Sequence, residues 1–430
     1  MTDRTNVGFV RHEPIPASPP PIAQAGAIKW VRENLFSNVI NSVLTILSIY
    51  FVIKLVLASA PWIWNGVWTT DSLRECREVL QGTSGACWSV LAERWNQLLF
   101  GFKYPVEAYW RPTLAFILLL ISIAPILFNK LPRKMLIISV IYPFLTFWLI
   151  WGGTILIPVV VAVALILAYF TFVKMERQIG FVTGLASGVI CASAILYFGG
   201  YVTDTLSGFI ALEPVASRDM GGFMLNLLLG TICVSLSIPL GILLALGRQS
   251  KMPIIKGICV VFIEFIRGVP LITLLFVANV VLSYFFPPGT NLDLILRVII
   301  MITLFSSAYI AEVIRGGLAA LPRGQYEAAD SLGLDYPQAM RLIILPQALK
   351  ISIPGIVNVA VGLFKDTTLV SVISMFDLVG MIRGPISSST AWTGIYWELY
   401  LFAIILFFVV CYCISQYSQW LERQLRTDHH

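Results

Sequence analysis

The feature that most constrains this chain is a series of long apolar runs with few or no charged side chains. A hydrocarbon core of about 30 Å requires about 20 apolar residues for each helical crossing. About ten runs meet this requirement, at residues 39–58, 113–128, 135–151, 152–173, 179–202, 221–247, 269–290, 292–317, 351–376 and 395–420. Since 58% of the 430 residues are hydrophobic and only 12% are charged, an ordinary soluble assembly is excluded. The pattern predicts an all-α, polytopic membrane protein.

Two segments lie outside these runs. Residues 1–38 carry charged side chains and five prolines between positions 14 and 21, a composition that predicts a disordered tail. Residues 59–112 contain Cys76 and Cys87, which could form a disulfide in an oxidising compartment. Two free thiols remain the alternative, because a sequence does not give the distance between two cysteines.

The distribution of lysine and arginine predicts the orientation of the chain. Basic residues collect in short loops after the second, fourth and sixth runs, at Lys130, Arg133, Lys134, Lys174, Arg177, Arg248, Lys251 and Lys256. Such loops remain on the cytoplasmic side, so we expect both termini in the cytoplasm and residues 59–112 outside. This asymmetry accounts for the net charge of +6, and the sequence lacks the concentrated basic face that nucleic-acid binding requires.

Several catalytic and metal-binding motifs are absent from the sequence. It contains no G-x-x-x-x-G-K-[ST] loop to cradle the phosphates of ATP and no H-E-x-x-H metal motif. The three histidines, His12, His429 and His430, stand at the ends of the chain, which removes imidazole from any intramembrane acid-base or metal site. We therefore expect a non-catalytic chain that binds no metal or cofactor.

A polar segment between the eighth and ninth runs predicts two short helices joined by a bend. Pro322 can open the first helix, which runs to Leu332, and Gly333 suits the left-handed position after the last turn. Asp335 can cap a second helix, which we expect Pro346 to end.

The first of these helices has the composition of a helix that binds in a groove of another protein. It exposes Tyr326, Glu327 and Asp330, and it offers Ala328, Ala329 and Leu332 for close packing. An interfacial helix lying on lipid headgroups is the alternative, which the two carboxylates disfavour at an anionic leaflet.

This segment resembles a known family motif. The run Glu327-Ala328-Ala329, followed at fixed spacings by Gly333, Ile343, Leu345 and Pro346, is similar to the EAA loop of ABC importer permeases. The flanking stretches 264–270, 311–317 and 363–369 resemble those of permeases for polar amino acids, and the likeness covers residues 221–425. The amino-terminal half is similar to the longer permease of general L-amino-acid importers of the glutamate, glutamine, aspartate and asparagine type.

The resemblance implies a type I permease core of five helices at residues 221–425, preceded by an accessory membrane region at residues 39–220. It implies a permease subunit of an ATP-driven importer for polar L-amino acids in the inner membrane of a bacterial cell. A second permease, shorter and forming a heterodimer, two cytoplasmic ABC ATPases that use ATP, and a periplasmic amino-acid-binding protein would be its partners. The coupling to the ATPases would involve Tyr326, Glu327, Ala328, Ala329, Gly333, Ile343, Leu345 and Pro346.

Two adjacent charges lie within the ninth apolar run. Lys365 and Asp366 each cost about 2.5 to 3.5 kcal/mol in a bilayer unless a partner or water is present. Adjacent helical residues point about 100° apart, so these two side chains cannot simply face one another. They could meet the carboxylate and ammonium of an amino acid in a polar pathway, together with Asn358, Thr367 and Thr368. An ion pair that only fixes packing remains an equal alternative; a helix break near Gly362 would favour the pathway.

Two further charge pairs stand three residues apart near the predicted inner boundary. Glu264 with Arg267, and Glu312 with Arg315, can each interact on one helix face. We expect these pairs to serve structure, or docking against the polar segment, rather than to contact substrate.

Two other functional classes compete with a permease powered by separate ATPases. An ion-coupled secondary amino-acid transporter commonly shows related halves, and the sequence has no convincing internal repeat. A non-transporting membrane scaffold would not need Lys365 and Asp366.

Overall fold

The computed structural model describes residues 26–128, 131–206, 208, 210–285 and 292–426. Within these residues nine helices are long and apolar enough to cross a membrane, and a bent pair of helices would bring the number to ten. The described residues divide into two compact units, one of residues 26–67 with 77–87 and the other comprising residues 68–76 and those described from 88 to 426.

The first unit contains helix α1, Gly26–Asn34, and helix α2, Val39–Trp64. Asn38 caps α2 by accepting a hydrogen bond of 2.8 Å from the amide of Asn41. The prediction of a disordered tail is wrong for residues 26–34. These residues form α1, which is an amphipathic helix. The rest of that predicted tail, residues 1–25, lies outside the described residues.

The rest of the amino-terminal half consists of six helices and two short strands that pair in an antiparallel sheet. The helices are α3 Leu73–Leu80, α4 Ser89–Phe100, α5 Trp110–Leu127, α6 Leu136–Trp151, α7 Leu156–Gln178 and α8 Phe181–Thr205. Strand β1, Gly153–Thr154, pairs with strand β2, Ala211–Leu212. The predicted division of residues 135–173 at Gly152 is confirmed, because α6 ends at Trp151 and α7 begins after β1.

The carboxyl-terminal half forms the membrane core that the resemblance implies. Its helices are α9 Gly222–Gln249, α10 Pro253–Gly268, α11 Leu271–Phe276, α12 Leu294–Ala319, α13 Arg323–Ser331, α14 Tyr336–Ala339, α15 Leu345–Asp366, α16 Leu378–Met381 and α17 Trp397–Arg426. The long helices α9, α12 and α15 pack side by side, and α17 packs on α15.

The crossing predicted at residues 269–290 differs from the structure. Helix α10 ends at Gly268, and the chain bends by 101° before α11 and a π-helical turn at Val277–Val281. Pro270 lies at the bend, where its missing amide hydrogen and fixed φ favour the first turn of a new helix. The apolar run is therefore the second part of a broken helix, while residues 286–291 lie outside the described residues.

Two buried clusters lie at opposite ends of the core helices. The first contains Leu225, Leu229 and Val298 and lies toward the Gly222 end of α9. The second contains Ala245, Ile314 and Ile344 and lies toward the other end, which we call the Arg248 end. The polar segment between the eighth and ninth apolar runs packs against this second cluster.

Candidate functional site

The bend between α13 and α14 is fixed by backbone hydrogen bonds. The amide of Gly333 donates to Asp330 O at 2.9 Å, and the amide of Leu334 donates to Ala329 O at 3.2 Å. This pair of bonds is the Schellman motif, which requires a left-handed residue after the helix, and Gly333 has φ +69°. The predicted left-handed glycine is confirmed, as is the Asp335 cap, whose Oδ1 accepts from the amide of Gln338 at 2.9 Å.

The exposed face of α13 differs in part from the prediction. Glu327, Ala328 and Asp330 are exposed, whereas Ala329 is fully buried and Tyr326 is half-buried. Ala329 therefore packs inside this chain and does not enter a partner's groove. The reason is geometric: successive helical residues point in different directions, so the exposure of Glu327, Ala328 and Asp330 leaves Ala329 turned toward the rest of the chain.

Packing contacts and a hydrogen bond attach the polar segment to the Arg248 end of the core. Tyr326, Ile343 and Leu345 pack against the second buried cluster. The side-chain amide of Gln347, in α15, donates to Gln325 Oε1 in α13 at 2.9 Å. These contacts connect α13 to the start of α15, a membrane-spanning helix.

The prediction that Pro346 ends the second helix is wrong. The chain continues from α14 through a π-helical turn, Met340–Ile344, into α15, where Pro346 stands in the first turn. A proline is tolerated there because the first amide hydrogens of a helix have no carbonyl partner within it. The exposed Pro346 thus marks the junction of the polar segment with α15.

The two predicted charge pairs belong to one ionic cluster. Arg267 Nη1 lies 3.7 Å from Glu264 Oε2, and Arg315 Nε donates to Glu312 Oε1 at 2.8 Å. Arg248 joins the pairs, because its Nη1 lies 2.8 Å from Glu264 Oε1 and 3.2 Å from Glu312 Oε2. The cluster connects α9, α10 and α12. Sequence reasoning used Arg248 only for orientation and missed this role, since its partners lie 16 and 64 positions away.

The predicted pathway residues divide between two surroundings. Asn358 and Lys365 are exposed on one side of α15, with Gly362 between them, and an added Cβ at Gly362 would meet nothing within 4 Å. We call these three residues the open α15 face. Among the described residues, the Lys365 ammonium makes no hydrogen bond or ion pair, although the carboxylate of the adjacent Asp366 is close enough for an electrostatic interaction. Helix α15 is continuous through Gly362, so the break that would have favoured a pathway site is absent at that position.

The other predicted pathway residues lie at the end of α15. Asp366 and Thr368 are half-buried, and Thr367 is fully buried. Thr367 Oγ1 donates to Phe364 O at 2.7 Å and accepts from Asn226 Nδ2 at 2.9 Å. The Thr367 hydroxyl is therefore occupied by the protein and unavailable to a substrate in this conformation.

Asn226 is the centre of a buried polar network that sequence reasoning missed. Besides Thr367, its Nδ2 donates to Asp377 Oδ2 at 3.1 Å, and its Oδ1 accepts from the amide of Leu378 at 3.1 Å. Asp377 caps α16, since its Oδ1 accepts from the amide of Gly380 at 2.9 Å. A polar amide in the apolar run 221–247 was the available signal. Its partners lie more than 140 positions away, so no local sequence pattern could identify them.

Comparison with known proteins agrees with the resemblance. Residues 237–427 match the family described as binding-protein-dependent transport system inner membrane component. The chain is 51% identical to the glutamate/glutamine/aspartate/asparagine transport system permease protein BztC of Rhodobacter capsulatus, over 99% of this chain and 100% of that protein. It is 38% identical to the inner membrane amino-acid ABC transporter permease protein YhdY of Escherichia coli, over 97% of this chain and 98% of that protein.

A solved structure, that of an amino acid ABC transporter with histidines, is also similar. It is 33% identical to this chain, covers 47% of this chain and 92% of the solved one, and has a TM-score of 0.43.

Proposed function

The chain belongs to the amino-acid ABC transporter permeases, and on that premise we propose that it forms part of the translocation pathway of an ATP-driven importer. Its substrates are polar L-amino acids. We propose acidic amino acids and their amides in particular, since the relative that is 51% identical is named for glutamate, glutamine, aspartate and asparagine. Membership in this family does not favour an ion-coupled secondary transporter.

Coupling to ATP hydrolysis runs through α13. The observation that carries this proposal is the exposed face of Glu327, Ala328 and Asp330 on a helix anchored to α15. An ATPase that binds this face and displaces α13 when its nucleotide state changes would shift the pathway between two conformations. The free energy of this conformational shift can be no larger than the difference between the free energies with which the ATPase binds the two conformations.

The partners follow from the importer class. We propose a second permease, shorter than this chain, two cytoplasmic ABC ATPases that bind and hydrolyse ATP, and a periplasmic amino-acid-binding protein. The chain lies in the bacterial inner membrane with both termini in the cytoplasm, so the Arg248 end of the core faces the cytoplasm. Residues 39–220 are accessory and residues 221–425 are the permease core. In the outer segment, we propose that Cys76 and Cys87 pair as a disulfide.

The open α15 face lines the substrate pathway opposite the second permease. Its support is the exposure of Lys365 within a membrane-spanning stretch, where an unpartnered ammonium requires water or a counter-charge. The ammonium of Lys365 would attract the carboxylate of an amino acid, and the Asn358 amide can donate to it. Thr367 instead fixes the end of α15.

The experiment is gentle purification of the tagged full-length chain, identification of the proteins that accompany it, and reconstitution in vesicles. We expect an ATPase and a second permease to co-purify, and we expect glutamate uptake to require ATP and the binding protein. Uptake that follows an ion gradient without ATP would refute the importer. If no ATPase co-purified with the chain, the proposed coupling to ATP hydrolysis would be refuted.

A further inference from the structure

The three residues of the open α15 face are arranged as two polar groups with a gap between them. Asn358, Gly362 and Lys365 follow one another at spacings of four and three residues, so they lie one above the other on the helix. Helix α15 is continuous here, and its rise of about 1.5 Å per residue places Asn358 and Lys365 about 10 Å apart along the axis.

The gap at Gly362 leaves room for a ligand. An added Cβ at Gly362 would meet no atom within 4 Å. A neighbouring side of α15 is closed, because Ser352 Oγ lies 3.4 Å from Val313 O and an added Cβ at Gly355 would overlap the Val313 side chain. Contact with α12 therefore holds α15 in place while the open α15 face stays accessible.

Both polar ends of this face lack hydrogen bonds within the part of the chain that the structure describes. Neither the Asn358 amide nor the Lys365 ammonium makes one there. Both residues belong to the stretch Tyr336–Ile373, which is long and apolar enough to cross a membrane. An unpaired polar group at that depth costs free energy, so each end favours a polar ligand.

The spacing of the two ends suits an acidic amino acid that is bound at both carboxylates. In extended glutamate the two carboxylate carbons are separated by four carbon–carbon bonds, a distance of about 5 Å. A charge-assisted hydrogen bond of about 2.8 Å at each end brings the span to about 11 Å. A helical lysine leans toward the amino-terminal end of its helix, here toward Asn358, and its flexible stem can also reach the shorter aspartate.

The Asn358 amide can satisfy two different side-chain ends. Its Nδ2 donates to an oxygen of a carboxylate. A carboxamide pairs with both amide atoms, because its oxygen accepts from Nδ2 and its nitrogen donates to Oδ1. An apolar side chain would leave the amide unpaired and is therefore disfavoured.

On the basis of the function proposed above, the uptake of acidic amino acids and their amides along the open α15 face, we propose that Asn358 is a specificity-determining residue. It binds the side-chain carboxylate or carboxamide of the substrate, while Lys365 binds the α-carboxylate. One residue that both donates and accepts thereby admits glutamate and glutamine alike.

The test compares glutamate with glutamine, which have the same length and differ only in the end group. The complete transporter is reconstituted in vesicles that enclose ATP. The maximal rate of uptake is measured with saturating binding protein loaded with either amino acid. The ratio of the two rates is taken within each variant, so the amount of assembled transporter cancels.

Two substitutions of Asn358 should change this ratio in opposite directions. Asn358→Asp should lower the ratio of glutamate to glutamine uptake by about tenfold or more, because the new carboxylate repels the glutamate side chain and still accepts from the glutamine amide. Asn358→Lys should raise the ratio, since its ammonium attracts the glutamate side chain. The second variant keeps the test decisive if Asn358→Asp does not assemble.

Ile351→Asp is the matched control. Ile351 lies seven residues before Asn358 on the same side of α15, is 49% exposed and stands beyond the open α15 face. A carboxylate added there should leave the ratio of the unmodified protein unchanged.

Equal ratios in Asn358→Asp, Asn358→Lys and the unmodified protein would overturn the assignment, as expected if Asn358 faced lipid or bonded to the second permease. Lys365→Met separates that result from failure of the proposed pathway. It should lower the uptake of both amino acids equally, because both carry an α-carboxylate. Normal uptake of both by Lys365→Met would refute the pathway along the open α15 face itself.

Discussion

The indole Nε1 of Trp392 donates a hydrogen bond of 2.5 Å to the carboxylate of Glu93, a residue 299 positions away. Trp392 is fully buried in the loop between α16 and α17, and Glu93 lies on α4. The amide of Leu73 also donates to Ala391 O, in the same loop, at 2.8 Å. The amino-terminal half of the chain is thus hydrogen-bonded to the loop between α16 and α17 in the carboxyl-terminal half.

Removing the indole donor should loosen this loop. Trp392→Phe keeps an aromatic ring but leaves Glu93 without its buried donor, and a hydrogen bond to a charged group is worth about 1.5 to 3 kcal/mol. We expect hydrogen–deuterium exchange in residues 387–395 to accelerate by about tenfold or more. Trp397→Phe, at an exposed position a few residues later, is the control and should leave exchange unchanged. Equal exchange in Trp392→Phe and the unmodified protein would show that the bond does not hold the loop.

The Asp377 carboxyl should make stability depend on pH. Asp377 lies between the spans that end at Ile373 and begin at Trp397. Burial raises the pKa of Asp377 from 3.8 to about 6, against the lowering effects of hydrogen bonds from Gly380, Asn226 and Val379 and of nearby Arg383. The folded state therefore holds this proton more tightly than the unfolded state does. The stabilisation from neutral Asp377 is present below about pH 4 and is lost as pH rises through about 6, a loss on the order of 2 to 3 kcal/mol.

The measurement is the melting temperature of the purified complex between pH 4 and 7.5. Asp377→Asn keeps an acceptor for the α16 cap and cannot titrate, so its melting temperature should fall less than that of the unmodified protein between pH 4 and 6. Asp330→Asn, on the exposed face of α13, should keep the slope of the unmodified protein. Identical slopes in Asp377→Asn and the unmodified protein would assign the pH dependence to other groups.

Gly333→Val should leave the protein in the membrane and abolish ATP-driven uptake. The free-energy cost of the substitution comes from the backbone conformation, since φ of Gly333 is +69°. Steric overlap does not contribute, because an added Cβ would meet no atom within 4 Å. A β-branched residue in that conformation costs about 1 to 3 kcal/mol, which should unwind the Schellman motif. Gly324→Val is the matched control, since Gly324 lies in the same segment, in α13, with equally open surroundings and no positive φ. Full uptake by Gly333→Val would remove the bend from the mechanism.

Lys365→Met should reduce uptake by about tenfold or more with normal assembly of the complex. The substitution keeps the apolar part of the side chain and removes the charge proposed to attract the substrate carboxylate, a charged hydrogen bond worth about 1.5 to 3 kcal/mol. Lys365→Arg keeps the charge and should retain more uptake than Lys365→Met. Loss of assembly in Lys365→Met, measured by co-purification of the second permease, would instead identify Lys365 as a packing residue.

The features that sequence could predict are those fixed within a few neighbouring residues. The Gly333 bend, the Asp335 cap and the division at Gly152 each depend on the conformational limits of one residue type. The features it could not predict depend on distant partners. Ala329 is fully buried by packing of α13 on the rest of the chain, and Asn226 donates a hydrogen bond to Asp377 across 151 positions.

The broken helix at Pro270 shows a different limit. Hydropathy is nearly continuous across the bend, so an apolar count assigns one crossing where the chain turns by 101°. Local proline chemistry favours a new helix start there but does not give the angle, which packing of α10 and α11 against α12 sets.

Binding of an ATPase to the exposed face of α13 can be tested in the assembled transporter. The most direct measurement places a photo-crosslinking amino acid at Glu327 in the complete transporter and identifies the adducts by mass spectrometry with and without ATP. We expect an adduct with the ATPase subunit whose yield changes with nucleotide, and far less of this adduct from a crosslinker at the buried position of Ala329. Adducts with phospholipid alone, in both nucleotide conditions, would contradict it.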